Sequence, residues 1–209
     1  MTIAGDSRDT RNPQKSWVAW TASLWAQKIL RAEVNRPEVV SLTGDYVQAH
    51  MEELLPFHRR HFFEMDPVQL RKMRRKFKRL PRTFTRDEIS DTTIHQGNIF
   101  KTDVVSDADG AYYDWDITGS IREAIKYGLE DAVWDAFESP GTRCMALTVS
   151  RRMPGGKAKT SELWREIVNG IGGVFGDSRV WEFEEPIHYG RARLGCGNMM
   201  LIRAVIRER

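Results

Sequence analysis

The stretch NIFKTDVVSDADGAYYDWDI, residues 98–117, is where the sequence changes from helical to strand periodicity. Two apolar runs, residues 98–105 and 111–117, lie on either side of an Asp-Ala-Asp-Gly sequence. An Asp-Gly step between two such runs is typical of a β-hairpin. The stretch therefore predicts a pair of antiparallel strands in the second half of the chain.

The residues upstream of this stretch show helical periodicity, with apolar side chains recurring every three or four residues. Three helices are predicted there, at residues 13–34, 45–55 and 67–80. The third has the clearest start, because Asp66 can cap it and Pro67 suits its first position. The first carries three tryptophans, which predicts a large buried area.

The residues downstream alternate between helix and strand patterns. A helix begins at the capping box formed by Ser120 and Glu123 and stops before Pro140. The remaining segments are predicted as a strand at 144–152, a short helix at 160–173, and strands at 179–185 and 199–208.

These elements predict an α+β fold with the coarse order ααα-ββαβαββ. A helical, tryptophan-rich and basic region at residues 1–92 packs on a mostly antiparallel sheet with two flanking helices at residues 93–209. The two regions form one compact unit in this prediction, because a chain of 209 residues suits a single sizeable domain.

The composition is that of a folded protein in a reducing compartment. A hydrophobic fraction of 41% is too high for a disordered chain. The two cysteines, Cys144 and Cys196, are far apart, which excludes a disulfide framework and a zinc site built on paired cysteines. No run of about 18 apolar residues occurs, so we predict a soluble, cytoplasmic protein without a membrane span. No cofactor and no metal are predicted.

Positive charge is concentrated around QLRKMRRKFKRLPR, residues 69–82. Between His58 and Arg82 there are ten lysines and arginines but only two acids, whereas the whole chain has a formal net charge of only +3. Like charges on one helix repel each other and destabilise it when it is isolated. A polyanion that neutralises them is the simplest physical reason for the cluster, and a phosphate backbone fits best.

We therefore predict a protein that binds RNA or DNA through the helix at 67–80, rather than an enzyme. Phosphate contacts carry no sequence information, so low selectivity is expected. In this interpretation Leu70, Met73, Phe77 and Leu80 anchor the helix to the core. The predicted phosphate contacts are Arg59, Arg60, Arg71, Lys72, Arg74, Arg75, Lys78, Arg79 and Arg82.

A glycine-rich segment near the C-terminus, HYGRARLGCGNMMLIRA at residues 188–204, adds Arg191 and Arg193 to the predicted phosphate contacts. The segment resembles the glycine-rich loop near the C-terminus of CRISPR repeat-RNA processing endoribonucleases. In that family a glycine-rich basic segment precedes a final apolar strand and touches RNA, so the resemblance implies RNA processing. The alternative is a tight turn that leads into the last strand.

Two further functions stay open at this point. One is a structural subunit of a larger assembly, such as a virion or phage particle, or a homo-oligomer, in which the basic helix meets an acidic neighbour. The other is a metal-dependent nuclease, because carboxylates that converge on one strand can hold Mg²⁺. The aspartates concerned are Asp103, Asp107, Asp109, Asp114 and Asp116, and their alternative is the solvent-exposed face of an antiparallel strand.

Other candidate motifs favour no function. His58, His61 and Glu64 follow a three-residue spacing that could hold a metal on a helix, but the spacing favours a polar helix face, because no distant ligand completes a site. The segments MPGGKAKT and NGIGGVFG lack the spacing and the context of nucleotide-binding loops.

Overall fold

Strands from both halves of the chain form one eight-stranded sheet with helices on both faces, as shown by a computed structural model of the protein. The structure describes residues 13–44, 46–117, 120–150, 162, 164–166, 169, 179–189 and 199–208. The strands are β1 (Glu38–Leu42), β2 (Arg59–Glu64), β3 (Thr92–Gln96), β4 (Gly110–Asp116), β5 (Thr142–Ser150), β6 (Arg179–Phe183), β7 (Ile187–Tyr189) and β8 (Met199–Glu208). The helices are α1 (Pro13–Glu33), α2 (Val47–Leu54), α3 (Pro67–Phe77), α4 (Arg86–Ser90), α5 (Ile121–Lys126) and α6 (Leu129–Glu138), with a 3₁₀ turn at Ile99–Lys101.

The sheet is mostly parallel. Its strand order is β3-β2-β1-β4-β5-β8-β6, and β1 to β5 all run in the same direction. Only β8 is antiparallel, and it lies between β5 on one side and β6 followed by β7 on the other. The chain moves outward from β1 to β3 and then returns to place β4 on the other side of β1. This reversal makes the fold a doubly wound, Rossmann-like α/β fold.

The predicted α+β fold with a mostly antiparallel sheet is therefore wrong, and residues 98–117 explain why. They form no hairpin: the first apolar run is a 3₁₀ turn followed by a loop, and only the second run is a strand. That strand, β4, is buried on both faces because it lies between β1 and β5 with helices above and below. A strand buried on both faces does not show the alternation expected of an antiparallel edge.

The predicted helical N-terminal region contains two strands that the sequence analysis missed. Both β1, EVVSL, and β2, RRHFFE, are short, and charged residues at their ends hide their apolar centres. The strand β1 pairs with β4 across the predicted division at residue 92, so both predicted regions contribute to the same sheet.

Several local predictions are confirmed. The helices α1, α2 and α3 lie where their periodicity placed them, and the Asp66 carboxylate caps α3 by accepting from the backbone N–H groups of Val68 and Gln69. The capping box at Ser120 is also present. The helix that it begins is interrupted, however, because Gly128 adopts a left-handed conformation at φ 102° and separates α5 from α6.

The two layers of helices bury different faces of the sheet. The helices α1, α2 and α3 pack with Val39, Phe62 and Tyr112 on one face, which we call the N-terminal face. The helices α5 and α6 pack with Val40 and Trp115 on the other. Alternate residues of a strand point to opposite faces, so neighbouring residues of β1 serve different layers.

Arg60 lies in the interior of the protein, whereas the sequence analysis placed it on the basic surface. It is 2% exposed. Its guanidinium donates to the carbonyl oxygens of Leu55, Phe57 and Glu88, and its Nε donates to the Thr92 hydroxyl. Burial lowers the pKa of the Arg60 side chain, but these acceptors surround the charge. The residue therefore joins the start of β2 to its neighbours, and at 2% exposure it is not accessible to a phosphate.

We predict that Arg60→Leu lowers the free energy of unfolding by about 3 kcal/mol, because it leaves buried carbonyl groups without donors. The neighbouring Arg59→Leu is the control: its side chain is 61% exposed, and its ion pair with Glu38 is long, at 3.7 Å. That substitution should change stability by less than about 0.5 kcal/mol. Urea unfolding followed by circular dichroism measures both, and equal losses in the two variants would contradict the assignment.

Candidate functional site

A cleft of about 420 Å³ opens at the carboxyl ends of the parallel strands. Segments that follow four strands build it: residues 42–44 after β1, 64–65 after β2, 98–100 after β3 and 116–117 after β4. The helix α5 closes one side. Its lining residues are Leu42, Thr43, Gly44, Tyr46, His50, Glu64, Met65, Asn98, Ile99, Phe100, Asp116, Ile117, Glu123, Ala124 and Tyr127.

The position of the cleft follows from the topology of the sheet. The connections from β1 and β4 leave the sheet toward opposite faces, because the strand order reverses between these two strands. Such a reversal opens a crevice outside the carboxyl ends of the strands, and open α/β sheets bind their ligands there. The cleft is therefore the candidate functional site of this protein.

The loop after β1 differs from a dinucleotide-binding loop. It contains a single glycine, Gly44, at φ 50°, where dinucleotide-binding folds have three glycines around the turn. The loop is closed by a hydrogen bond from the Tyr46 N–H to the Thr43 carbonyl, and α2 begins directly afterwards. Without the other glycines the backbone cannot approach a pyrophosphate as closely. This loop is therefore poorly suited to a phosphate-bearing cofactor.

The charge of the cleft leads to the same conclusion. Its walls carry the carboxylates of Glu64, Asp116 and Glu123, and none of the described lining residues is a lysine or arginine. The rest of the surface is mostly apolar, with Met65 and Phe100 among its side chains. Negative charge around an apolar cleft favours a ligand that carries a positive charge on an otherwise apolar body.

Hydrogen bonds fix several polar residues of the cleft, among them Glu64 and Asn98. The Glu64 carboxylate accepts from the backbone N–H of Asp66 at 2.9 Å. The Asn98 side-chain amide donates to the carbonyl of Tyr127 at 2.6 Å, and its oxygen accepts from the N–H of Phe100 at 3.0 Å. Asn98 therefore joins the segment after β3 to the end of α5 and fixes the width of the cleft.

Beneath the loop after β1 lies a buried polar cluster that joins β1, β4 and α2. The Ser41 hydroxyl donates to the Asp114 carboxylate at 2.7 Å, and His50 Nδ1 lies 3.5 Å from the same hydroxyl. His50 Nδ1 is also 3.9 Å from Asp114 and 3.8 Å from Glu53. On the same face of β4, burial, with Asp114 contributing, raises the pKa of Tyr112 well above its usual value, so this phenol stays protonated. The cluster holds the start of α2 against the sheet.

The structure splits the predicted basic residues into separate groups. On α3, Leu70 and Met73 are buried as predicted, while Phe77 and Leu80 are half-buried against the same core. Arg59 lies on β2 on the face opposite α3, because Phe62, three residues further along the strand, packs with the α3 layer. Arg191 and Arg193 lie outside the described residues. The remaining predicted contacts lie on or after α3, exposed except for the half-buried Lys72: Arg71, Lys72, Arg74, Arg75, Lys78, Arg79 and Arg82.

Of the residues that had suggested a metal site on a helix, His61 and Glu64 lie on the strand β2, and His58 lies in the bend just before it. His61 Nε2 is 3.2 Å from the Glu38 carboxylate, and His61 Nδ1 is 3.1 Å from His95 Nε2. Burial and the neighbouring His61 lower the pKa of His95, while the hydrogen bond from His61 lowers the pKa of Glu38. Among the described residues no group of three or more histidine, cysteine or acidic side chains could hold a metal ion.

The aspartates near residues 103–116 do not converge either. Asp114 is buried and bonded to Ser41, whereas Asp116 lines the cleft at the end of β4. Asp103 and Asp107 line a second cavity of about 340 Å³ beside α6. Asp109 is exposed. The alternative prediction, that these aspartates form the solvent-exposed face of an antiparallel strand, is also wrong, because β4 is buried on both faces.

Comparison with solved structures identifies the fold. The chain aligns with the methyltransferase domain of bacterial CtHen1 at a TM-score of 0.56 and 11% identity, over 95% of this chain and 100% of that one. It aligns with precorrin-6y C5,15-methyltransferase from Geobacter metallireducens at 0.51 and 14%, over 98% and 93%. It aligns with the 23S rRNA methyltransferase ErmE at 0.50 and 14%, over 95% and 69%. No protein-family model and no curated protein sequence matches this chain.

These likenesses show that the chain has a Rossmann-like α/β fold, which these methyltransferases share. They overturn the prediction of a non-selective backbone-binding protein, together with its two alternatives, a virion or assembly subunit and a nuclease. The functional prediction was wrong because it rested on surface charge. A surface helix carries no information about a cleft that is assembled from four strand ends.

The residues of the cleft were missed because most of them lie in segments that were predicted as a helix, as a break between two helices, or as part of a hairpin. One signal was available: Glu64 ends a short apolar segment and stands 20 residues after Gly44. An acidic residue about 20 residues beyond the first loop is where such folds bind a ribose.

None of the described helices is both long and apolar enough to cross a bilayer.

Proposed function

We propose that this protein is a methyltransferase that uses S-adenosylmethionine, with the cofactor held in the cleft at the carboxyl ends of β1 to β4. The observation that carries the proposal is the combination of a methyltransferase fold with an apolar cleft that contains three carboxylates and no described lysine or arginine. A phosphate-bearing cofactor would meet repulsion in this cleft, whereas a positively charged one is favoured.

The residues present fit this cofactor. Glu64, at the end of β2, is the group that would accept hydrogen bonds from the ribose hydroxyls. Ile99 and Phe100, held in place by Asn98, would pack against the base. Asp116 and Glu123 supply negative charge on the side of α5. When bound, S-adenosylmethionine supplies an electrophilic methyl group on a positively charged sulfur.

The chain's own contribution is to orient the reactants and exclude water. Asn98 and the polar cluster under α2 fix the walls before any ligand arrives, so little ordering is needed on binding. The apolar residues of the walls lower the local dielectric, which strengthens the attraction of Asp116 for positive charge. We keep the cytoplasm as the proposed location, supported by the buried free thiol of Cys144.

We predict that Glu64→Gln weakens the binding of S-adenosylhomocysteine about tenfold, because a charged acceptor is replaced by a neutral one. Isothermal titration calorimetry measures the affinity. Glu130→Gln, an exposed carboxylate on α6 outside the cleft, is the matched control and should bind as the wild type does. Failure of the wild-type protein to bind either this compound or S-adenosylmethionine would refute the proposed function.

We also propose that the methyl acceptor is a nucleic acid and that α3 holds its phosphates. The support is twofold: one structure of this fold, ErmE, is a 23S rRNA methyltransferase, and α3 begins next to Glu64 and Met65 of the cleft. Helix rise places its last turn about 15 Å from that start. Part of the charge also stabilises the helix, since Arg74, Arg75 and Lys76 lie in the last turn and face the negative end of the helix dipole.

We predict that the triple variant Arg74→Glu, Arg75→Glu, Lys78→Glu transfers fewer methyl groups from labelled S-adenosylmethionine to RNA, through a higher KM for RNA. Each lost phosphate contact should also reduce the salt slope of binding by roughly 0.7 to 0.9. Affinity for the cofactor should not change. A triple variant of exposed cations elsewhere, Arg36→Glu, Lys126→Glu, Arg165→Glu, carries the same change in charge and should behave as wild type. Equal RNA binding by all three proteins would show that α3 is not the contact surface.

A further inference from the structure

The helix α1 presents two tryptophans to solvent. Trp17 is 56% exposed, Trp20 is 51% exposed and Leu24 is 40% exposed. The opposite side of the helix is buried, through Val18 and Ala22 among others. These tryptophans are therefore not part of the core, contrary to the large buried area predicted for this helix. Exposed apolar surface on a folded protein marks an interaction site when the residues are contiguous.

The contacts of α1 show at which edge of the sheet these tryptophans lie. Its last residue, Glu33, accepts a hydrogen bond from Thr142 at the start of β5. Trp25, eight residues earlier, contacts the Arg203 guanidinium at 5.3 Å, and Arg203 pairs with Ala146 in the middle of β5. The eight residues from Trp25 to Glu33 and the four residues from Thr142 to Ala146 each span about 12 to 13 Å, so the two contacts match in spacing. Because Glu33 lies at the start of β5 and Trp25 lies near its middle, α1 runs antiparallel to β5.

The same spacing places Trp17 opposite the carboxyl end of β5. At the C-terminal end of α1 the chain packs closely against the start of β4, because a Cβ atom on Gly110 would lie only 2.5 Å from the Val34 side chain. The exposed tryptophans therefore lie at the edge of the sheet where the cleft opens, on the N-terminal face that also carries α3.

The outward stripe of α1 combines aromatic rings with cations. After Trp17, Trp20 and Leu24 it continues at helical spacing through the exposed Lys28 and Arg31, and it contains no acidic residue. Indole rings stack on nucleobases of any sequence, and neighbouring cations attract the phosphates that connect those bases. A purely apolar partner would gain nothing from the cations. The complementary partner is anionic and carries flat aromatic rings.

We infer that Trp17, Trp20, Lys28 and Arg31, on the outward stripe of α1, form a docking platform for single-stranded nucleic acid. The strand must be single, because bases in a duplex are already stacked and paired. This inference rests on the proposed function and deepens it: the methyl acceptor is an unpaired segment, guided to the cleft by bases that stack on α1 while α3 holds phosphates.

The test is fluorescence anisotropy with a short labelled RNA, a DNA of the same sequence and the corresponding duplexes. Trp17→Ala and Trp20→Ala should each weaken binding of the single strands about tenfold and leave the salt slope unchanged. The double variant with phenylalanine at both positions should retain most of the affinity. Leu24→Ala, an exposed apolar residue of the same stripe, is the matched control and should change the affinity less than about twofold. Comparison of RNA with DNA shows which of the two the platform binds more tightly.

Three results would overturn the inference. Equal loss for Leu24→Ala and the tryptophan variants would indicate a general apolar contact with another protein. A tryptophan variant that binds single strands as the wild type does, but has a different molar mass in light scattering, would show that the stripe joins two copies of this chain. Tighter wild-type binding to duplexes than to single strands would exclude base stacking. Cofactor affinity is measured separately, so the two failures can be distinguished. Loss of strand binding leaves the proposed function intact, whereas a wild-type protein that binds strands but no cofactor would refute the function and retain only the docking platform.

Discussion

The burial of β4 on both faces is the constraint on which the rest of this structure depends. A strand between two parallel neighbours needs helices above and below it, and the chain supplies α1 with α2 and α3 on one side and α5 with α6 on the other. To cover both faces, the chain first adds β2 and β3 on one side of β1, and then returns to add β4 and β5 on the other side. The reversal between β1 and β4 opens the cleft, so the same requirement that builds the core also creates the site.

The chemistry of the cleft narrows the possible ligands further than its position does. Many ligands bind at the switch points of α/β sheets, and most of them carry phosphate. Here the single glycine of the first loop and the carboxylates of Glu64 and Asp116 oppose phosphate and favour a positive charge. A dense cluster of basic residues instead lies on α3, outside the cleft. This segregation suits an enzyme that binds a cationic cofactor inside and a polyanionic substrate outside.

The sequence contained enough information for local elements but not for their arrangement. Caps and periodicity predicted α3 correctly, since Asp66 and Pro67 act within one turn of the chain. The direction of β4 depends on distant partners: Tyr113 pairs with Val40, 73 residues earlier, and with Met145, 32 residues later, and no local pattern reports that pairing. The same holds for the cleft, whose residues become neighbours only when the strands align. Surface charge was visible in the sequence, but Arg60 shows that a basic residue can equally be an internal hydrogen-bond donor.

The central claim is that the cleft holds S-adenosylmethionine, and a crystal structure of the protein grown with S-adenosylhomocysteine tests it most directly. The account predicts the nucleoside between the loop after β1 and the segment after β3, with its ribose hydroxyls bonded to Glu64. Density for the compound at any other place, or an empty cleft at saturating concentration, would contradict the account.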